Sequence, residues 1–136
     1  MSDAGIPTGI AIAPLIPGLN ESDVPHLLER ARECGATSAF MTLLRLPTEV
    51  LPVFQERIAE VMPERAKKIE SAILDMRDGR RNRSQFGQRM SGSGPRWEIV
   101  ERLFEVHCRR LGLNADAPSK GYWPLSLADP RRKNRA

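Results

Sequence analysis

The chain has 136 residues, 40% hydrophobic and 28% charged, with a formal net charge of +4. That is enough for one domain with a hydrophobic core, and too balanced a composition for global disorder. No apolar run approaches the roughly 18 to 20 residues of a membrane span, and Asp3, Pro7 and Gly9 break any signal-like N-terminal pattern, so the expected location is the cytoplasm.

The first element is "AGIPTGIAIAPLIPGLNESD", Ala4 to Asp23. Ile6, Ile10, Ile12, Leu15 and Ile16, with Ala11 and Ala13 between them, make a nearly continuous apolar run that Pro14, Pro17 and Gly18 stop. Such a run predicts a strand buried on both faces, as in a parallel sheet. Next, "NESDVPHLLERARECG" places Val24, Leu27, Leu28, Ala31 and Cys34 on one helical face, with Ser22 as cap, Pro25 in the first turn and Gly35 as the left-handed stop. "TSAFMTLLRLP" supplies a second strand, ended by Pro47. Strand, helix, strand with short connections predicts a βαβ unit with two parallel strands.

About three helices follow. Thr48 to Met62 carries Val50, Phe54, Ile58 and Val61 on one face, with Pro52 in the opening turn. Pro63 starts a helix whose inward face is Ala66, Ile69, Ile73 and Met76, ended by Gly79. "GRRNRSQFGQRMSGSG", Gly79 to Gly94, has no hydrophobic period and predicts a long loop. Pro95 opens the last helix, with Trp97, Val100, Phe104, Cys108 and Leu111 inward and Gly112 as its stop. Residues 114–136 form an irregular, basic tail in which "GYWPLSL" can lie against the body through Tyr122 and Trp123. A sheet of two parallel strands has two unpaired edges, so a further polypeptide or a second copy is expected to complete it.

Side chains with chemical potential are few. At the carboxyl ends of the strands, where α/β folds bind ligands, "APLIPG" offers main-chain groups and "LLRLP" offers Arg45. Arg45 suits a carboxylate or phosphate; the alternative is a strand-end salt bridge, for instance to Glu49. Cys34 and Cys108 lack zinc or disulfide spacing and read as buried structural thiols. His26 and His107 have no catalytic partner at motif spacing and read as surface or packing residues. "GSGP", Gly92 to Pro95, precedes a helix and could hold an anion or simply cap the helix. Arg77, Arg80, Arg81, Arg83 and Arg89 face Asp78 alone, and the tail adds Arg131, Arg132, Lys133 and Arg135. Such clusters either meet nucleic-acid phosphate or form a solvated loop and a frayed end.

Taken in order, "AGIPTGIAIAPLIPGLNESD", "GATSAFMTLLRLP", the Pro63 helix ending in "MRDGRRN", "SQFGQRMSGSG" and "FEVHCRRLGL" resemble the C-terminal portion of radical SAM proteins of the spore-photoproduct-lyase-like group. The likeness covers 4–113. It implies a fragment of a partial (β/α) barrel, whose last two strands are those found here. In that family a CxxxCxxC loop early in the barrel holds a [4Fe–4S] cluster that reduces S-adenosylmethionine. By position the resemblance implies that Ala13, Pro14, Ile16 and Leu44 face S-adenosylmethionine and that Arg45 faces the substrate, which is DNA in the photoproduct lyases themselves. Two cysteines cannot supply the three clustered thiolates, so the resemblance further implies an N-terminal barrel half encoded upstream, without which this chain is inactive. A basic nucleic-acid-binding module and a non-functional remnant are the alternative readings.

Overall fold

The two apolar runs become β1 (Gly9–Leu15) and β2 (Ser38–Leu43) in a computed structural model of the chain, which describes residues 2–76 and 92–115. The strands pair in parallel, with Ile10 opposite Ala39, Ala11 opposite Phe40 and Ile12 opposite Met41. The register shifts between Ile12 and Leu15, where the Ala13–Pro14 peptide is cis. Ahead of β1, Ser2–Ala4 form a short 3-10 turn, and Ile6 is exposed rather than part of the strand.

The crossover between the strands is α1 (Val24–Glu33), entered through a 3-10 turn, Glu21–Asp23. Ser22 lies inside that turn, so it does not cap α1; Asp23 occupies the cap position and makes no side-chain cap bond. Pro25 sits in the first turn as expected, and Gly35 takes a φ of 92° just past the end. Three helices complete the described chain: α2 (Leu51–Val61), α3 (Pro63–Asp75) and α4 (Pro95–Leu111). Met62 alone separates α2 from α3. A residue before proline is driven out of the helical region, and Met62 accordingly has a φ of −139°. At the other end of α4, the Leu113 N–H reaches the Cys108 carbonyl at 2.8 Å and the Gly112 N–H reaches the Arg109 carbonyl at 3.2 Å. That paired closure needs a left-handed residue, and Gly112 supplies it with a φ of 69°.

The result is an α/β arrangement of two parallel strands and four helices. Helices α1 and α4 pack on each other and on one face of the sheet. Beneath them Ile12, Leu15, Val24, Leu28, Leu43, Met76, Trp97 and Val100 form the main core. Each fully buried Leu or Val there stabilises the fold by roughly 1.5–3 kcal/mol. A second cluster, Leu46, Ile69 and Ile73 with Ile16, Leu44, Phe54 and Ile58 against it, lies where the strands end and joins α2 and α3 to them.

Three further expectations are corrected. Strand β1 is not buried on both faces: Ile12 and Leu15 are buried, whereas Ala11, Ala13 and Pro14 are exposed, because α1 and α4 cover only one side. The apolar stripe of α2 is narrower than its sequence suggests, since Phe54 and Ile58 meet the second cluster while Val50 and Val61 are exposed. Cys34 is exposed at the end of α1, and Cys108 alone is a buried thiol. Among the described residues no helix is long and apolar enough to cross a membrane. The arginines at 77, 80, 81, 83 and 89, the stop at Gly79 and the tail with Tyr122 and Trp123 lie outside the described residues.

Candidate functional site at the carboxyl ends of the strands

The Leu44 N–H donates to the Leu15 carbonyl at 2.8 Å, which holds the two strand ends side by side. Ala13, Pro14 and Ile16 are thereby brought next to Leu44 and Arg45. Beyond β1 the chain turns sharply, with the Leu19 and Asn20 N–H groups both donating to the Ile16 carbonyl, at 3.0 and 3.2 Å. Asn20 then folds its side chain back over the turn: Oδ1 accepts from the Ile16 N–H at 2.7 Å and Nδ2 donates to the Pro14 carbonyl at 3.1 Å. An amide side chain satisfies a donor and an acceptor at once, so the main chain around Pro14 is fixed without a neighbouring strand.

Gly18 closes the same turn with a φ of 78°, and a Cβ there would stand 3.4 Å from the Ile69 Cα. Both the backbone angle and the close approach of α3 favour glycine. The Gly18 N–H donates to Glu21 Oε1 at 3.3 Å, and Arg96 Nη2 meets the same oxygen at 2.6 Å. This bridge, with side chains 33% and 24% exposed for Arg96 and Glu21, ties the start of α4 to the turn after β1. Glu21 Oε2 is buried without a hydrogen-bond partner among the described residues.

The side chains assigned to the site divide into two groups. Ala13, Pro14 and Arg45 are exposed. Ile16 and Leu44 are half-buried and turn toward the second cluster, so packing uses part of each side chain. Arg45 forms no ion pair or hydrogen bond with another described residue, and the bridge to Glu49 is not made. The strand ends thus present apolar and main-chain surface beside a fixed cation, with no acid–base pair among them. Such a surface can bind and orient a ligand carrying an anionic group.

His26 is exposed, and His107 stands with Nδ1 2.8 Å from the Leu103 carbonyl of its own helix. Burial, reinforced by Glu105, pushes the Cys108 thiol up to about 11. Glu101 is also raised, by burial first and then by Glu105 and Glu98. In the "GSGP" segment the Ser93 N–H donates to the Met76 carbonyl at 2.7 Å, so that one N–H is engaged in holding the start of α4. No group of three or more His, Cys, Asp or Glu among the described residues is placed to hold a metal ion.

Sequence reasoning missed Asn20, the Glu21–Arg96 bridge and Asn114. Pro, Gly and Asn are turn residues, and Pro17, Gly18 and Asn20 fall within four positions, so Asn20 was legible in kind. Comparisons with protein-family models, curated proteins and solved structures return no match to this chain.

Proposed function

We propose that this chain is the C-terminal part of a radical SAM enzyme and contributes the last two strands of a partial (β/α) barrel. The observation that carries the reading is the lopsided packing of β1: two parallel strands with α1 and α4 over one face, and Ala11 and Ala13 exposed on the other, beside Phe40 and Thr42 of β2. Helices outside and side chains filling the inside is the organisation of a (β/α) barrel, and its ligands bind at the carboxyl ends of the strands. In this reading Ala13, Pro14, Ile16 and Leu44 border the S-adenosylmethionine space, and Arg45 holds a carboxylate or phosphate of the substrate. Bound to a [4Fe–4S] cluster, S-adenosylmethionine supplies the radical chemistry, which belongs to the cofactor rather than to these residues. The contribution of this chain is to border that space and fix the charge beside it.

The cluster does not fit this chain. The sequence has two cysteines, and Cys108 is a buried thiol held protonated well above neutral pH, whereas cluster ligands are thiolates. The cysteine loop therefore belongs, in this reading, to another stretch of polypeptide.

Anaerobic reconstitution of the purified chain with iron and sulfide is expected to give no cluster absorbance near about 400 nm. A chimera placing this chain behind a barrel segment that carries CxxxCxxC is expected to bind S-adenosylmethionine more tightly than that segment alone. A stable four-iron signal on the isolated chain, or equal binding by segment and chimera, would overturn the proposal.

A further inference from the structure

Asn114 takes a left-handed backbone, with a φ of 58°, against the outer edge of β2. Its Nδ2 donates to the Ala39 carbonyl at 2.9 Å and its Oδ1 accepts from the Ala39 N–H at 2.9 Å. Its own N–H donates to the Thr37 carbonyl at 3.0 Å. These main-chain groups are the ones an added strand would use at this point of β2, and a side-chain amide matches the donor and acceptor of a peptide unit.

The opposite edge of the sheet is different. Since Ala39 turns both main-chain groups away from β1, alternation gives Ser38, Phe40 and Thr42 to the ladder, and Ile10 and Ile12 as their partners across it. The same alternation turns the main-chain groups of Gly9 and Ala11 and the N–H of Ala13 outward, where no strand pairs with them among the described residues. From Gly9 to Ala13 there is no charged residue and no proline; the usual protections of an edge, Pro14 and the register shift, come only at the end of β1. The Asn20 side chain closes this edge only beyond it, at Pro14 and Ile16.

We infer that Asn114 ends the sheet at β2, and that the sheet takes one further strand at β1 alone: an apolar strand running parallel to β1. The occupant has to pair with Gly9, Ala11 and Ala13 and also cover the exposed Ala11 and Ala13 side chains. A parallel sheet that continues past β1 and curls toward closure does both. A second copy paired β1 to β1 about a two-fold axis through the sheet would instead set two uncovered faces side by side. The choice of occupant rests on the barrel reading above; the closing of β2 by Asn114 does not.

Hydrogen exchange followed by NMR tests both parts without iron or S-adenosylmethionine, so failure of the cofactor reading leaves its outcome intact. In the dilute wild-type chain the Ala39 amide is expected to be protected, and the Ala11 and Ala13 amides to exchange as unpaired groups. Asn114→Ala is expected to speed Ala39 exchange by about tenfold or more. Asn114→Asp, which keeps an acceptor and loses the donor, is expected to fall between and serves if the alanine variant does not fold. A Val/Ile strand and helix fused through a Gly-rich linker ahead of Ser2 is the strand probe. It is expected to slow exchange at Ala11 and Ala13 and leave Met41 and Leu43 unchanged. Unchanged Ala39 exchange in a folded Asn114 variant, or protection gained at Met41 and Leu43, would overturn the closed edge. Protection of Ala11 and Ala13 that rises with concentration of the wild-type chain would make a second copy the occupant. No protection at either edge from a folded fusion would overturn the acceptor.

Discussion

Helices α1 and α4 lie over one face of the β1–β2 sheet, and there Ile12, Leu15, Ala39 and Leu43 are buried; on the other face Ala11 and Ala13 stay exposed, although they alternate with Ile12 along one strand. An apolar strand does not bury itself: it is buried where another element covers it. Along β1 the residue types differ in step, since Ile12 and Leu15 stand under the helices and methyl groups stand on the other side, where β2 contributes half-buried Phe40 and buried Thr42. Exposed alanine leaves far less apolar area in water than exposed isoleucine would, which keeps the cost of the uncovered face low.

The largest expected effect lies on the covered side. Trp97→Ala removes a buried ring from the main core and should cost about 3–5 kcal/mol, read as a lower denaturation midpoint. Next comes Gly92→Ala. The new Cβ would lie 2.7 Å from the Trp97 ring and 2.9 Å from the Met76 carbonyl oxygen, an overpacking expected to cost about 1–3 kcal/mol. Wild-type stability for either variant would mean that the helices are not seated on the sheet as described. Asn20→Ala removes two bonds to main-chain groups and should cost about 1–2 kcal/mol, with the loss of protection confined to the turn after β1.

The elements themselves were largely legible because their punctuation is local. Pro63 and Pro95 open helices, Gly112 closes one, and the 3.6-residue spacing of Trp97, Val100 and Cys108 matches the buried side of α4. Burial of β1 was not legible in the same way, since periodicity describes the strand and not what covers it. Val50 and Val61 were misplaced for the same reason: the stripe on α2 is longer than the surface it meets. Ser22 failed as a cap because a 3-10 turn comes between it and α1. Asn114 acts on Ala39, 75 residues away, and no local pattern encodes that register. Arg45 could be read as a charge directly after a buried strand, but its lack of a Glu49 partner depends on how the chain leaves β2.

The two cysteines extend the contrast between covered and uncovered surface. At about pH 8 a thiol reagent should modify Cys34 in the native protein and reach Cys108 only after unfolding. The Cys108 thiol is raised from 9.0 to about 11 by folding. Its protonated form therefore favours the native state; that stabilisation is complete below about pH 9 and is lost as the pH rises through about 11. Cys108→Ser should flatten this alkaline decline, and an unchanged decline would assign it to other groups.

The smallest effect is expected at Ala11, and it separates the two faces most sharply. In the isolated chain Ala11→Ser places a hydroxyl where water reaches it in both the folded and the unfolded state, so stability should change by no more than about 0.5 kcal/mol. Once a parallel strand pairs at β1 and its sheet curls over that side, the same hydroxyl is enclosed. Without a partner it should then cost about 1–3 kcal/mol. One substitution measured in the isolated chain and again in the fused chain thus reports whether the uncovered face has been closed. A large loss in the isolated chain would show that Ala11 is already covered, and the difference between the two faces would disappear.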